Sequence, residues 1–272
     1  MERVLEVRGV SLRFGGVRAL SDVSFSVNAG ELLSIIGPNG AGKTSIVNCI
    51  SGRYKPTEGQ LFYGGRDITA LNPNARPGLG IGRTFQNLAL FHHMSVLDNI
   101  MIGRHHLLKN NFLTGSLYWL TGARREELEH RHKVEEIIDF LDLQSVRKAT
   151  AGTLSYGLRK RVELARAMAL EPQLILLDEP MAGMNFEEKE DMARYIVDLN
   201  EEFGMTVMMI EHDMGVVMDI SHRVIVLDFG RKIAEGQPAD VLADPHVRRA
   251  YLGEEDEVLV DPDHLPIAEG AS

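Results

Sequence analysis

The sequence predicts an α/β fold in which a mostly parallel sheet forms the core. Short, mainly apolar runs alternate with helical patterns along the chain, and this alternation is typical of parallel strands covered by helices. The apolar runs lie at residues 31–36, 174–177, 206–210 and 223–227. Between two of them, residues 187–203 place Met192, Ile196, Leu199 and Phe203 at helical spacing. We therefore expect buried strands with amphipathic helices packed on their faces.

Two smaller parts differ from this pattern. The first 30 residues and residues 60–69 contain short β-rich runs broken by glycine turns, which predicts a small antiparallel sheet. Residues 95–157 are mostly helical, with a core stripe at Val134, Ile137, Ile138, Leu141 and Leu143. We predict one domain over residues 1–252, with residues 95–157 as an inserted helical subdomain. Residues 253–272 are acidic and form a predicted C-terminal tail.

Composition excludes several classes of protein. The 272 residues include 29 basic and 39 acidic side chains, a formal net charge of −10, which argues against a nucleic-acid partner. The single cysteine, Cys49, cannot form an intrachain disulfide and is expected to be a core residue. The N-terminus lacks the apolar core of a signal peptide, and no apolar run approaches the roughly 18–20 residues that span a bilayer. We therefore expect a cytoplasmic protein whose membrane role, if any, comes through a partner.

A glycine-rich loop follows the first apolar run. Residues 37–44 match the pattern G-x4-G-K-[ST] of a phosphate-binding loop (P-loop), between a predicted strand and a predicted helix. Backbone N–H groups of such a loop and the positive end of the next helix bind phosphate. Lys43 is expected to reach the β- and γ-phosphates, and the Thr44 hydroxyl to ligate Mg²⁺. The predicted nucleotide-binding residues are Gly37, Pro38, Asn39, Gly40, Ala41, Gly42, Lys43, Thr44 and Ser45.

Two further segments carry chemistry. Asp178 and Glu179 follow a buried run, where Asp178 is positioned for the metal and Glu179 for polarising an attacking water. Residues 154–157, Leu-Ser-Tyr-Gly, precede a helix, so Ser155 and Gly157 lie at a helix N-terminus that favours phosphate. Taken alone, Ser155 would be interpreted as a simple N-cap.

In their order along the chain, these segments resemble the ATPases of ABC transporters, whose LSGG signature is spelled LSYG here. The resemblance covers about 250 residues and implies a P-loop (RecA-like) parallel-sheet core. It also implies that Phe14 stacks on adenine, that Gln86 contacts Mg²⁺ and the permease interface, and that His212 contacts the γ-phosphate. Residues 181–185 correspond to the family's D-loop.

The resemblance implies a mechanism and partners. ATP and Mg²⁺ are the expected cofactors, with Thr44, Gln86 and Asp178 around the metal and Glu179, His212 and Gln86 as catalytic residues. Two cassettes face each other head to tail, and each ATP lies between one P-loop and the other chain's Ser155 and Gly157. Expected partners are a second ATP-binding subunit, identical or different, multi-span permeases and, indirectly, a solute-binding protein. The chain would then be attached peripherally to the cytoplasmic face of the cell membrane.

Several sequence segments resemble those of the larger ATPase of branched-chain amino acid importers. They include Ile210-Glu211-His212-Asp213-Met214 and, near the C-terminus, Tyr251-Leu252-Gly253. The long stretch 104–129, which includes Phe112, Tyr118 and Trp119, is another such feature, either a permease-facing surface or local packing. Leu158 and Phe186 depart from the family's usual glutamine and proline. Importers of urea, amides or aromatic acids, and lipopolysaccharide exporters, remain alternatives.

Classes outside transport fit less well. A DNA-repair ATPase of this type needs a long coiled-coil insertion, whereas about 110 residues without a heptad repeat separate Thr44 from Leu154. A small-molecule kinase would have the P-loop but neither the LSYG segment nor His212. The glycines of residues 78–82 do not have dinucleotide-binding spacing, and we expect them to form a flexible approach to Gln86.

Overall fold

The protein is described by a computed structural model that covers residues 2–84, 90–107 and 123–252. Gln86, residues 253–272 and most of the stretch 104–129 therefore lie outside the described residues. The described part contains a six-stranded sheet, a four-stranded sheet and eight α-helices.

The larger sheet forms the centre of the fold. In spatial order its strands are β10 (Arg231–Gly236), β9 (Arg223–Asp228), β3 (Leu32–Ile36), β8 (Thr206–Ile210), β7 (Leu174–Asp178) and β6 (Ile81–Arg83). All neighbours pair in parallel except β10, which is antiparallel to β9. Every residue of β3, β7 and β8 is buried, which explains why these strands are apolar without alternation. The predicted parallel core is confirmed.

Two strands of this sheet were not predicted. Residues 78–82 were expected to be flexible, but Ile81–Arg83 form the edge strand β6, parallel to β7. A Cβ on Gly82 would lie 3.0 Å from the Pro172 Cγ, so this glycine permits close packing. At the other edge, β10 returns beside β9 through Phe229 and Gly230, both at positive φ. That hairpin turn contains the glycine needed for a left-handed backbone.

The four-stranded sheet is antiparallel, as predicted. Its strands, in spatial order, are β2 (Val17–Asn28), β1 (Arg3–Phe14), β4 (Glu58–Tyr63) and β5 (Arg66–Asp67). β1 and β2 are joined at Gly15-Gly16, and the buried side chains of the sheet pack in one cluster with β3 and the helix that follows β3. Cys49 is buried in that cluster as a core residue.

The helices lie between the strands. They are α1 (Lys43–Ile50), α2 (Val96–Gly103), α3 (Ala123–Phe140), α4 (Tyr156–Met168), α5 (Phe186–Glu201), α6 (Met214–Ile220), α7 (Pro238–Ala243) and α8 (Pro245–Leu252). The predicted stripe of α3 is buried at Val134 and Ile138 and continues at Leu141 and Leu143. It packs in one cluster with α2, α4, α5 and one face of the large sheet. None of these described helices has the length and apolarity to cross a bilayer.

Candidate functional site

Three loops that carry predicted site residues meet at one edge of the large sheet. β3, β8 and β7 are neighbours, and each runs in the same direction. Their carboxyl ends lead into Gly37, Glu211 and Glu179, respectively. Ligands of open α/β sheets bind at the carboxyl edge. The topology therefore brings together residues that are more than 170 positions apart in the chain.

The first loop requires glycine for steric reasons. Gly37 has φ of +145° and Gly42 has φ of +101°. A Cβ at Gly37 would lie 2.0 Å from the Leu227 carbonyl oxygen, and one at Gly42 would lie 2.7 Å from the Ala19 carbonyl oxygen. The loop therefore lies so close to the backbone of β9 and β2 that no side chain fits at Gly37 or Gly42.

Helix α1 begins inside this motif. Its first turn has no acidic residue, and it contains Lys43, Thr44 and Ser45, the last two half-buried. The Lys43 ammonium donates to the carbonyl oxygens of Gly37 (2.7 Å) and Pro38 (3.0 Å). Burial lowers the pKa of Lys43, and the nearby Glu179 and Asp178 partly oppose that shift. A lysine and a helix N-terminus held together in this way form an anion site.

Asp178 ends β7 and is fully buried. Its Oδ2 accepts from the Arg83 guanidinium at 3.1 Å, whereas its Oδ1 has no hydrogen-bond partner among the described residues. Burial raises the pKa of Asp178, and Arg83 counteracts this. Arg83 also donates to Asn48 (2.7 Å) and Ser51 (2.6 Å), which belong to or follow α1. This arrangement joins β6, β7 and α1, and it leaves one buried carboxylate oxygen available to a ligand.

Glu179 has a backbone conformation that is rare for its residue type. Its φ is +51°, in the left-handed region, and its N–H donates to the Ile210 carbonyl oxygen at 3.0 Å. Its own carbonyl oxygen accepts from the ammonium of Lys160 on α4 at 3.2 Å. A non-glycine residue in this region costs about 1–3 kcal/mol and persists only where its surroundings impose it. The contacts with β8 and α4 supply that constraint, and the side chain is half-buried.

The loop after β8 contains an exposed histidine beside a buried carboxylate. The His212 side chain is 58% exposed, and the Glu211 side chain is 1% exposed. Glu211 Oε2 accepts from the backbone N–H of His212 at 3.2 Å. Asp213 accepts from Lys189 on α5 at 2.6 Å, which fixes the other side of the loop. His212 therefore faces solvent on a restrained backbone.

The start of α4 is a second helix N-terminus. Ser155 is its N-cap, and its Oγ accepts from the Leu158 N–H at 3.4 Å. Ser155 and Tyr156 are exposed, whereas Gly157 is buried against α5, where a Cβ on this glycine would lie 2.2 Å from Glu188 Oε1. This end of α4 thus packs on the loop and helix that follow Glu179 and presents its cap to solvent.

Phe14 ends β1 and is 48% exposed. Its ring meets that of Tyr54 edge-on, with 5.0 Å between the centroids. Because Tyr54 follows α1, this contact places an exposed aromatic face next to the P-loop helix. The position is compatible with stacking on a flat ligand.

Two known protein families match the chain. The family described as ABC transporter matches residues 20–182, and the family described as branched-chain amino acid ATP-binding cassette transporter matches residues 231–257. The chain belongs to the ABC transporter family.

Curated relatives and solved structures of ABC cassettes agree with this assignment. The high-affinity branched-chain amino acid transport ATP-binding protein BraF of Pseudomonas aeruginosa is 40% identical, over 92% of this chain and 98% of its own length. The corresponding protein LivG of Salmonella typhimurium is 38% identical over the same shares. The crystal structure of a nucleotide-free ATP-binding cassette from an ABC transporter has 34% identity and a TM-score of 0.80, covering 93% of this chain and all of that one.

An ABC cassette is a nucleotide-binding ATPase, so the chain is an ATP-hydrolysing enzyme. The structure places the predicted P-loop, Asp178, Glu179 and His212 at one edge, and Phe14 beside α1. Ser155 and Gly157 lie at the separate end of α4, and Gln86 is outside the described residues. Sequence reasoning assigned no role to Arg83, Lys160 or Glu211. The ion pair between Arg83 and Asp178 could not be predicted from the sequence, because 95 positions separate the two residues.

Proposed function

We propose that this ABC cassette hydrolyses ATP to power the import of branched-chain amino acids through a membrane permease. The observation that carries the ATPase chemistry is the meeting of the P-loop, the acidic end of β7 and His212 at one sheet edge. The cargo rests on the relatives, which are ATP-binding proteins of high-affinity branched-chain amino acid transport, and on the match over residues 231–257. Neither the P-loop nor Glu179 would contact the cargo.

In this proposal the P-loop binds the nucleotide phosphates. The backbone N–H groups of the loop, other than at Pro38, and the N-terminus of α1 face the phosphate oxygens, and Lys43 neutralises the β- and γ-phosphates. Phe14 stacks on the adenine ring. The support for these roles is the steric requirement for glycine in the loop, the fixed Lys43 ammonium and the exposed face of Phe14.

The residues present also suit a magnesium ion. Asp178 Oδ1 is a buried oxygen without a partner among the described residues, and a hard cation prefers such ligands. Thr44, in the first turn of α1, would supply a hydroxyl and Gln86 an amide oxygen. When bound, the ion would neutralise charge on the β- and γ-phosphates during hydrolysis.

Glu179 would act as the general base. It accepts a proton from the attacking water as the water oxygen bonds to the γ-phosphorus, and the bond to the ADP oxygen breaks. His212 would donate a hydrogen bond to the γ-phosphate, and Gln86 would help to position the water. The left-handed backbone of Glu179 supports this role, because strain of this kind is concentrated at functional sites.

We further propose that two cassettes, identical or different, enclose each ATP. Ser155 and Gly157 of one chain would contact the γ-phosphate held by the P-loop of the other. The exposure of the Ser155 cap supports this arrangement. Residues 1–252 would form the cassette, with 95–157 as its helical subdomain, and residues 253–272 would form a tail. Multi-span permeases would hold the pair at the cytoplasmic membrane face, with a solute-binding protein as an indirect partner and no nucleic acid.

The catalytic assignment is tested with the variant Glu179→Gln. We expect the ATP affinity of the full chain to change less than about 2-fold and kcat to fall by about 10²–10⁴-fold, because the general base is removed. Steady-state phosphate release and fluorescent-nucleotide titration measure both quantities. The exposed Glu187 on α5 supplies a matched control, Glu187→Gln, which should leave both unchanged. Hydrolysis near the wild-type rate in the Glu179 variant would contradict the assignment of Glu179 as the general base.

The cargo is tested on the complex purified with its native permeases. In proteoliposomes, ATP-dependent uptake of leucine, isoleucine or valine, abolished by Glu179→Gln in this subunit, is the expected result. Uptake of urea, an amide or an aromatic acid instead would assign a related importer. Copurification with lipid-export proteins would contradict import altogether.

A further inference from the structure

The buried carboxylate of Glu211 lies between Glu179, the proposed general base, and His212, which is proposed to contact the γ-phosphate. Glu211 is the first residue after β8, and its side chain is 1% exposed. No role in the proposed chemistry requires an acid here. Burying a carboxylate is costly unless its oxygens are satisfied, so its contacts indicate what it does.

Each Glu211 oxygen accepts from a different loop. Oε1 accepts from the backbone N–H of Met181 at 3.0 Å, and Met181 is two residues after Glu179. Oε2 accepts from the N–H of His212 at 3.2 Å, and it lies 3.9 Å from Nδ1 of the same residue. One rigid carboxylate therefore joins the loop that carries Glu179 to the loop that carries His212.

The loop that carries Glu179 is held by hydrogen bonds to the end of β8 and to Lys160 of α4. Glu179 is anchored by its N–H to Ile210, the residue just before Glu211. The chain then turns through a left-handed residue, and Met181 is the next position fixed to the end of β8. Ile210 and Glu211, consecutive residues at the end of β8, thus accept from the N–H groups of Glu179 and Met181 and hold the backbone at Glu179 and two positions after it.

The energetics favour this assignment over a purely packing role. Burial raises the pKa of Glu211, and the N–H groups of Met181 and His212 counteract the rise. An apolar residue of similar volume would avoid the cost of burial, but it would leave the buried N–H of Met181 and the partly buried N–H of His212 without these acceptors. Each oxygen of the Glu211 carboxylate accepts one of these bonds, so this one side chain satisfies both loops at once.

We propose that Glu211 is a positioning residue that sets the location of Glu179 relative to His212 during ATP hydrolysis. This inference rests on the proposed function. It assigns Glu211 no contact with ATP or with the attacking water. Its action is through the backbone of Met181 and His212, so its loss affects the rate of the chemical step more than nucleotide affinity. Misplacement of a catalytic group by about 1 Å can cost about 10²-fold in rate.

The test compares Glu211→Gln with a control that removes a similar structural contact elsewhere. Asn200 is 6% exposed, and its Nδ2 donates to the carbonyl oxygens of Gly30 (3.0 Å) and Met205 (2.7 Å), away from the sheet edge described above. Glu211→Gln replaces one of the two acceptor oxygens with an NH2 donor and so breaks at least one backbone hydrogen bond, whereas Asn200→Ala removes both bonds that Asn200 donates. ATPase kcat and KM, nucleotide Kd and thermal midpoint are measured for each full-length variant.

We expect Glu211→Gln to lower kcat by about 10- to 100-fold with nucleotide Kd changed less than about 2-fold. Asn200→Ala should lower the thermal midpoint and leave kcat within about 2-fold. Glu211→Asp, which keeps both oxygens but retracts them by one methylene, should have an intermediate kcat and provides the comparison if the Gln variant does not fold. In a His212→Ala background, Glu211→Gln should cost less than it does in the wild type, since the histidine side chain that Glu211 helps to position is already absent.

Three results would overturn the inference. The first is a kcat of Glu211→Gln within about 2-fold of the wild type, and the second is an equal loss of kcat in Asn200→Ala. The third is a wild-type chain with no more ATPase activity than Glu179→Gln, which would overturn the proposed function itself and this inference with it. An active wild type with an unaffected Glu211 variant removes only the role of Glu211.

Discussion

The P-loop and the start of α4, the two helix N-termini proposed to contact ATP phosphates, are built from different kinds of contact. Around the P-loop, the groups that exclude a side chain are backbone carbonyls of Leu227 and Ala19, on strands of both sheets. At the start of α4, the excluding group is the side chain of Glu188, and Ser155 is exposed. The first is therefore a rigid cradle within one chain, and the second is an adjustable surface. This contrast fits a P-loop that is already formed within one chain and a signature segment, residues 154–157, that acts on another chain.

The largest effect is expected from Gly37→Ala, compared with Gly40→Ala. Both glycines have positive φ, but a Cβ at Gly37 would lie 2.0 Å from a carbonyl oxygen, whereas a Cβ at Gly40 would meet nothing within 4 Å. We expect Gly37→Ala to lower the free energy of unfolding by about 3 kcal/mol and to abolish nucleotide binding. Gly40→Ala should cost about 1–2 kcal/mol. Urea unfolding and nucleotide titration measure both, and equal losses would contradict the rigid cradle.

The opposite end of β3 supplies a stability effect that should leave the site intact. Glu31 accepts from Arg223 at 2.6 and 2.9 Å and from the Asn28 N–H at 2.8 Å. We expect Glu31→Gln to lower the free energy of unfolding by about 2 kcal/mol at pH 7, less than for a fully buried pair, because Arg223 keeps its bond to Ser26. Nucleotide Kd should not change, and a changed Kd would show that the cradle depends on this end of the strand.

The same pair predicts a pH dependence. Burial by itself would raise the pKa of Glu31, but the hydrogen bonds from Arg223 and Asn28 outweigh it, and the net pKa is lowered. A lowered folded-state pKa contributes stability above the unfolded value, and that stability is lost as the pH falls through the folded value. Below about pH 4.5, the ordinary value, the wild type should therefore lose stability more steeply than Glu31→Gln. Parallel curves of unfolding free energy against pH would contradict this.

A smaller effect separates the two roles of Ser155. Ser155→Ala removes an N-cap and should cost about 1 kcal/mol. Ser95→Ala is the matched control, since Ser95 caps α2 and accepts from the Asp98 N–H at 3.1 Å. We expect similar losses of stability, with a loss of ATPase activity in the Ser155 variant alone. An equal effect on ATPase in both variants would reduce Ser155 to a helix cap.

The smallest effect tests whether the start of α4 is adjustable. Gly157→Ala would displace Glu188, which also accepts from the Asn185 N–H at 3.1 Å in the capping box of α5. We expect a loss of about 1 kcal/mol in unfolding free energy. Glu188→Ala removes the obstructing side chain, so the double variant should be more stable than the two single losses predict by addition. Simple additivity would show that the backbone, and not Glu188, excludes the side chain.

The predictable features are those that local sequence specifies. The strands β3, β7 and β8 were recognised because burial on both faces requires a continuous apolar run. The P-loop was recognised because its glycines, lysine and threonine are adjacent in the chain. The edge strand β6 was missed because three residues, one of them a glycine, carry too little pattern, and its pairing with β7 is a long-range contact.

The class of this protein could be recognised from local motifs, because each phosphate-binding or acidic motif is a short segment whose residues must be neighbours to do their chemistry. The contacts that hold those motifs in register are visible only in the folded chain. Arg83 reaches Asp178 across 95 positions, Lys160 reaches the backbone of Glu179 from α4, and Glu211 joins two loops. The physical reason is that parallel strands bring distant carboxyl ends to one edge, so the groups that orient the site are close in space and far apart in the chain.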